Sequence, residues 1–90
     1  MTTNIITAIV TAYCATGHPC ADGHMPQTHH TVALPRCFRL GSRVEIDGYW
    51  YVGEDRTARR YDGRFDVFVR TAGYARKLGM SVQKVVVVSP

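Results

Sequence analysis

The chain has 90 residues and a mass of 10.0 kDa, which leaves room for one small domain spanning 1–90 and excludes a second independent core. With 46% hydrophobic and 20% charged residues it can build a compact core and is not a disordered tail. The net charge is +4, and nine of the eleven cations are arginines. They are scattered from Arg36 to Lys84 among acids, with no basic stripe interleaved with stacking aromatics, which argues against nucleic acid as the partner.

The first element is the firmest. Ile5, Thr7, Ile9, Thr11 and Tyr13 alternate with Ile6, Ala8, Val10 and Ala12 as the two faces of one long strand. Its threonines interrupt any apolar run long before the roughly 18 residues of a membrane span, so no membrane span is expected. Met1-Thr2-Thr3 carries no Lys or Arg, so the opening does not resemble a secretory leader either. Gly17–His30 follows as a long loop holding Gly17, Pro19, Gly23, Pro26 and all four histidines. Thr31–Pro35 is a short strand stopped by proline, and Arg43–Gly48 alternates so that Val44 and Ile46 point inward. Asp47-Gly48 has the residues of a type I′ hairpin turn, sending Tyr49–Asp55 back antiparallel with Tyr49, Tyr51 and Asp55 on one face. After a polar stretch from Arg56 to Arg64 comes the strand Phe65–Arg70. Thr71 caps a short helix with Tyr74 and Leu78 four apart, and Gly79 gives it a left-handed stop. Val82–Val88 closes the chain as a buried strand. Many short strands, close-set turns and one helix describe an all-β chain, a small barrel rather than a sandwich.

Three cysteines lie within the first forty residues. In an exported or virion-borne protein, Cys14 with Cys20 or Cys37 could close a disulfide that helps so small a core. A zinc reading of Cys14, His18, Cys20 and His24 fails on spacing, because no second ligand pair follows downstream. No metal and no cofactor is expected.

Several segments in order carry a resemblance: Val10-Thr11-Ala12-Tyr13-Cys14, Val32-Ala33-Leu34-Pro35, Leu40-Gly41-Ser42-Arg43-Val44, Glu54-Asp55-Arg56-Thr57, Gly63-Arg64-Phe65-Asp66-Val67-Phe68 and Ala75-Arg76-Lys77-Leu78-Gly79. Together, from Ile9 to Val88, they resemble the 3D (Asp-Asp-Asp) domain. The resemblance implies a six-stranded double-psi β-barrel with one short helix, the fold of the catalytic domain of membrane-bound lytic transglycosylase A, with relatives among rare-lipoprotein-A proteins, expansins and barwin. Such domains cleave peptidoglycan glycan strands without water, closing a 1,6-anhydro ring on the muramoyl residue. By this resemblance Asp66 takes the place of the catalytic acid/base and Asp55 that of its neighbour in the groove. The family's first aspartate aligns with Leu34, and Arg56-Thr57-Ala58 stands where many members have Thr-Gly-Gly.

On the residues alone, Asp66 lies between Phe65 and Val67, where burial and a nearby Asp55 would raise its pKa and make it a general acid. It could equally cap a turn or pair with Arg64 or Arg70. Asp55 either solvates a strand edge or joins a sugar groove lined by Tyr49 and Tyr51, whose flat rings suit pyranose faces. Arg56, Thr57 and Arg64 are further candidates for holding substrate, the arginines through bidentate pairing with its carboxylates. His30 is a candidate substrate contact. The expectation is a lytic transglycosylase-like domain working on peptidoglycan. Its alternative is a non-catalytic, expansin-like glycan-binding module. In either case the chain is expected outside the cytoplasm, secreted, periplasmic or virion-associated, and as a phage component it would contact other virion or tail proteins.

Overall fold

Alternating apolar residues become strands wherever one face can be buried against another sheet segment. The computed structural model describes residues 1–90 and contains six strands: β1 (Thr3–Tyr13), β2 (Thr31–Leu34), β3 (Arg43–Ile46), β4 (Tyr49–Arg56), β5 (Phe65–Phe68) and β6 (Ser81–Val88). One helix, α1 (Ala72–Leu78), and a 3₁₀ turn at Arg59–Tyr61 complete it. The strands close into a barrel in the order β1-β5-β2-β4-β3-β6. The pairs β1–β5 and β2–β4 are parallel, while the other neighbours are antiparallel. The expected all-β, six-stranded barrel with one short helix is thus the architecture observed, and closure leaves no free sheet edge to template aggregation.

The barrel interior is filled by one cluster: Val10, Val32, Leu34, Val44, Ile46, Phe65, Val67, Val85 and Val87, with Ile6, Ala8, Phe38, Leu40 and Tyr51 packed against it. Val44 and Ile46 point inward as the alternation required. The Asp47-Gly48 turn also forms as read, with φ of 52° and 82° at its two central residues. Thr71 caps α1 by accepting a hydrogen bond from the Tyr74 amide at 3.1 Å.

Two local expectations are corrected. The last strand is not buried along its length: Val85 and Val87 are fully enclosed, whereas Val82 is 69% exposed. It pairs on both sides within the barrel wall, so only alternate residues reach the interior. Gly79 ends the helix with positive φ but ψ of −139°, outside the left-handed helical well, which swings the chain directly into β6.

Gly53 marks the tightest approach in the wall. A Cβ there would collide with Leu34 Cδ1, Cγ and Cδ2, and Leu34 is fully buried. Gly53→Ala is therefore expected to destabilise the barrel by about 1–3 kcal/mol through overpacking. Chemical denaturation, read as a lower midpoint at unchanged slope, measures this.

Candidate active site

The functional candidates sit where β1, β5, β2 and β4 run side by side. Registers pair Thr11 with Asp66, Asp66 with Ala33 and Ala33 with Asp55. One row of residues, Thr11, Asp66, Ala33 and Asp55, thus crosses four adjacent strands on the side facing away from the core. Asp66 reaches that side because its neighbours Phe65 and Val67 point inward. Asp55 reaches it through a β-bulge: Val32 pairs with Gly53 but Ala33 pairs with Asp55, which leaves Glu54 as an extra residue in β4. The two acids are separated by one strand, so their Cα atoms stand roughly 10 Å apart. The only side chain between them in the row is the methyl group of Ala33.

The two carboxyl groups have different surroundings. Asp66 accepts a hydrogen bond from Thr11 Oγ1 at 3.0 Å. Its pKa is raised, chiefly by burial and further by the charge of Asp55, while the Thr11 hydrogen bond and Arg64 pull the other way. Asp55 instead accepts from the Tyr13 hydroxyl at 3.2 Å, the Ala21 amide at 3.0 Å and the Arg56 amide at 2.8 Å. Burial, then the proximity of Asp55, pushes the Tyr13 phenol upward and raises the Cys20 thiol to about 11. Both groups therefore stay neutral, and Tyr13 keeps the proton it donates to Asp55. One acid that resists ionisation beside one that accepts three donors is the division of labour that general acid catalysis requires.

Asp66 opens into a hollow of about 420 Å³ lined by Thr11, Ala12, Thr57, Ala58, Tyr61 and Arg64. Thr57 is 4% exposed, and the protein supplies no hydrogen-bond partner to its hydroxyl. Tyr61 is flanked by the guanidinium groups of Arg60 at 4.9 Å and Arg64 at 4.6 Å from its ring centroid, so the rim of the hollow is aromatic and cationic together. Thr11, Tyr13 and Tyr61 are site residues that the sequence reading did not single out. Thr11 and Tyr13 were visible only as the second face of a strand, and the parallel β1–β5 pairing that puts them beside the acids is invisible locally. Tyr61 lay in a turn with no periodicity to interpret.

Other candidates are placed elsewhere. Tyr49 and Tyr51 line a second, larger hollow of about 700 Å³ with His29, Arg70, Tyr74 and Leu78, and neither lines the hollow of Asp66. Their parity with Asp55 is lost because the bulge resets the alternation between Gly53 and Asp55. Arg56 turns its guanidinium onto the backbone. Its Nη1 donates to the carbonyls of Pro35 at 2.8 Å and Phe38 at 2.6 Å, because the short loop after β2 leaves carbonyls that need a donor. His30 faces Glu54, its Nε2 3.5 Å from Oε2, and it does not line the Asp66 hollow. Leu34 points into the core. The cysteines do not pair: Cys14 is partly buried at the end of β1, Cys20 is buried in the loop and Cys37 is exposed. Cys20 is held by a loop turn closed by its own amide and carbonyl, bonded to His24 and Gly23.

Compared with protein-family models and with characterised proteins, the chain matches none.

The raised pKa of Asp66 has a thermodynamic consequence. Its folded value lies above the unfolded one, so the native state binds the extra proton between the two values. The resulting stability is fully present below the unfolded pKa and is lost as pH rises through the folded one. Asp66→Asn keeps a hydrogen-bond acceptor for Thr11 and removes the desolvated charge. The variant is expected to have a higher thermal midpoint than wild type at pH 7, with the gap closing toward pH 3, as followed by circular dichroism melts across that range.

Proposed function

We propose that the chain is a lytic transglycosylase-like domain that cleaves peptidoglycan glycan strands, with Asp66 as its single general acid/base. One observation carries the reading: a half-buried carboxyl group with a raised pKa opens into a hollow, one strand away from an acid that accepts three hydrogen bonds. The resemblance to the 3D domain supports the same assignment, since Asp66 and Asp55 stand at its motif positions.

In this mechanism Asp66 donates its proton to the glycosidic oxygen as that bond breaks. The resulting carboxylate then takes the proton of the muramoyl 6-hydroxyl as its oxygen closes on the anomeric carbon. The proton lost in the first step is regained in the second, so one carboxyl group suffices and no water enters the product. The charge of Asp55 nearby adds to the burial that raises the pKa of Asp66 and favours its acid form. The same charge also favours the cationic, oxocarbenium-like transition state of glycosidic cleavage. Tyr61 offers a flat face to a sugar ring. Arg64 supplies a cation for the lactyl or peptide carboxylates, and the Thr57 hydroxyl has hydrogen-bonding capacity to offer. Such a substrate lies outside the cytoplasmic membrane, so the protein acts there, as a secreted or periplasmic domain or as a virion component attached to tail proteins.

A second reading has its own support. The larger hollow, lined by Tyr49, Tyr51 and Tyr74, has the aromatic character of a glycan-binding surface, which an expansin-like module would use without cleavage.

Purified sacculi separate the two. Wild type is expected to release 1,6-anhydromuramoyl products, Asp66→Asn to lose this activity by about 10² to 10⁴ in rate while still binding sacculi, and Asp55→Asn to show a smaller loss. The wild-type rate should fall as pH rises through the raised pKa of Asp66, because the acid form is then depleted. Product analysis by mass spectrometry is the measurement. Reducing-end products alone would mean hydrolysis, and binding without any product would favour the glycan-binding module.

A further inference from the structure

The bulge that turns Asp55 toward Asp66 also presents Glu54 to the long loop, where a second group of ligating side chains meets. Glu54 Oε2 lies 3.9 Å from His24 Nδ1 and 3.5 Å from His30 Nε2. Asp22 Oδ2 lies 3.0 Å from His24 Nδ1. One ligating atom each from Asp22, His24 and Glu54 falls within 4.8 Å of the other two.

We propose that Asp22, His24 and Glu54 bind one divalent transition-metal ion of the zinc type, with water completing the coordination. This site is separate from the proposed glycan chemistry and does not depend on it.

Three observations carry the assignment. Ligands about 2.0–2.2 Å from a tetrahedral ion stand roughly 3.3–3.6 Å from one another, and the contacts of 3.0 and 3.9 Å at His24 bracket that edge. The carboxylates are also already oriented through their other oxygens. Asp22 Oδ1 accepts from the His24 amide at 2.9 Å, and Glu54 Oε1 accepts from Thr31 Oγ1 at 2.8 Å, which in turn accepts from the Gln27 amide at 2.9 Å. Outer hydrogen bonds of this kind orient ligating carboxylates; Glu54 Oε2 is left without a good partner, and the 3.0 Å hydrogen bond between Asp22 Oδ2 and His24 Nδ1 would give way to the ion. Finally, the Glu54 side chain is only 11% exposed, and its Oε2 meets two imidazoles at distances too long for good hydrogen bonds. A carboxylate removed from water calls for a counter-charge, and a divalent ion between Oε2, His24 and Asp22 supplies it. His30 is placed to hold Glu54 from the other side rather than to ligate. The sequence reading weighed His24 as a zinc ligand together with Cys14, His18 and Cys20 and set that aside on spacing. The partners that meet His24 are instead an acid two residues away and one thirty residues downstream.

The ion would tie the loop to the barrel wall beside Asp55, because Asp22 and Ala21 are bonded there: the Asp22 amide donates to the Glu54 carbonyl at 3.1 Å and the Ala21 amide to Asp55 at 3.0 Å. The test is a titration of the chelator-treated protein at pH 7.5 with Zn²⁺, Co²⁺ and Mg²⁺ by calorimetry and visible absorption. One equivalent of Zn²⁺ is expected to bind, Co²⁺ to give the intense visible bands of a four-coordinate site, Mg²⁺ to give no saturable signal, and the thermal midpoint to rise with Zn²⁺ concentration. His24→Ala, a change at an exposed side chain that should fold normally, is expected to weaken Zn²⁺ affinity at least tenfold, as is Glu54→Gln. A Cys14→Ser/Cys37→Ser variant should bind as wild type does. Absence of saturable Zn²⁺ binding, full binding by His24→Ala, or loss of binding in the cysteine variant would overturn the proposal.

Discussion

The extra residue in β4 is the constraint on which the rest of the site depends. Leu34 fills the core against the bare backbone of Gly53, and this contact fixes where β2 and β4 come together. Immediately after it the pairing slips by one, so Ala33 faces Asp55 instead of Glu54. Without the slip Asp55 would keep the parity of Tyr51 and Gly53 and turn toward the core, and Glu54 would take its place in the row. A bulge costs one ladder position and in return re-aims two consecutive acids. Asp55 joins Asp66, and Glu54 reaches Thr31, His24 and His30.

The acids then differ because their donors differ. Asp66 has one hydroxyl donor and a buried setting, whereas Asp55 collects two amides and a phenol from three separate segments. One of those amides comes from the Gly17–His30 loop, so the loop is part of the electrostatic environment of the pair. Cys20, within the same loop, is its one buried residue. Such a loop has little apolar content of its own and is held mainly by polar contacts to β4. A metal clamp there would add order where the core contributes least.

Much of this architecture was legible in the residues. The Ile/Thr alternation of β1, the Asp47-Gly48 turn, the Thr71 cap and the inward Val44 and Ile46 are local patterns with local causes, and the structure contains all of them. Asp66 could be singled out because an acid between Phe65 and Val67 is conspicuous, whereas Asp55, between Glu54 and Arg56, stood out mainly through the resemblance. What could not be read was anything set by register. Period-two counting through β4 put Tyr49, Tyr51 and Asp55 on one face, and one unpaired residue was enough to break that count. Arg56 looked like a ligand-binding cation because the sequence does not show which carbonyls a loop leaves unsatisfied. Asp22, His24 and Glu54 came together only through the fold.

The central claim is that the bulge brings the charge of Asp55 to bear on Asp66. Carbon-detected NMR titration of the aspartate carboxyl groups in wild type and in Asp55→Asn tests it most directly, since the amide keeps the shape of the group and one acceptor oxygen for the Ala21 and Arg56 amides but removes the charge. The account predicts an Asp66 pKa above the ordinary aspartate range in wild type and a lower one in the variant. An Asp66 that titrates normally, or one that ignores the change at Asp55, would contradict it.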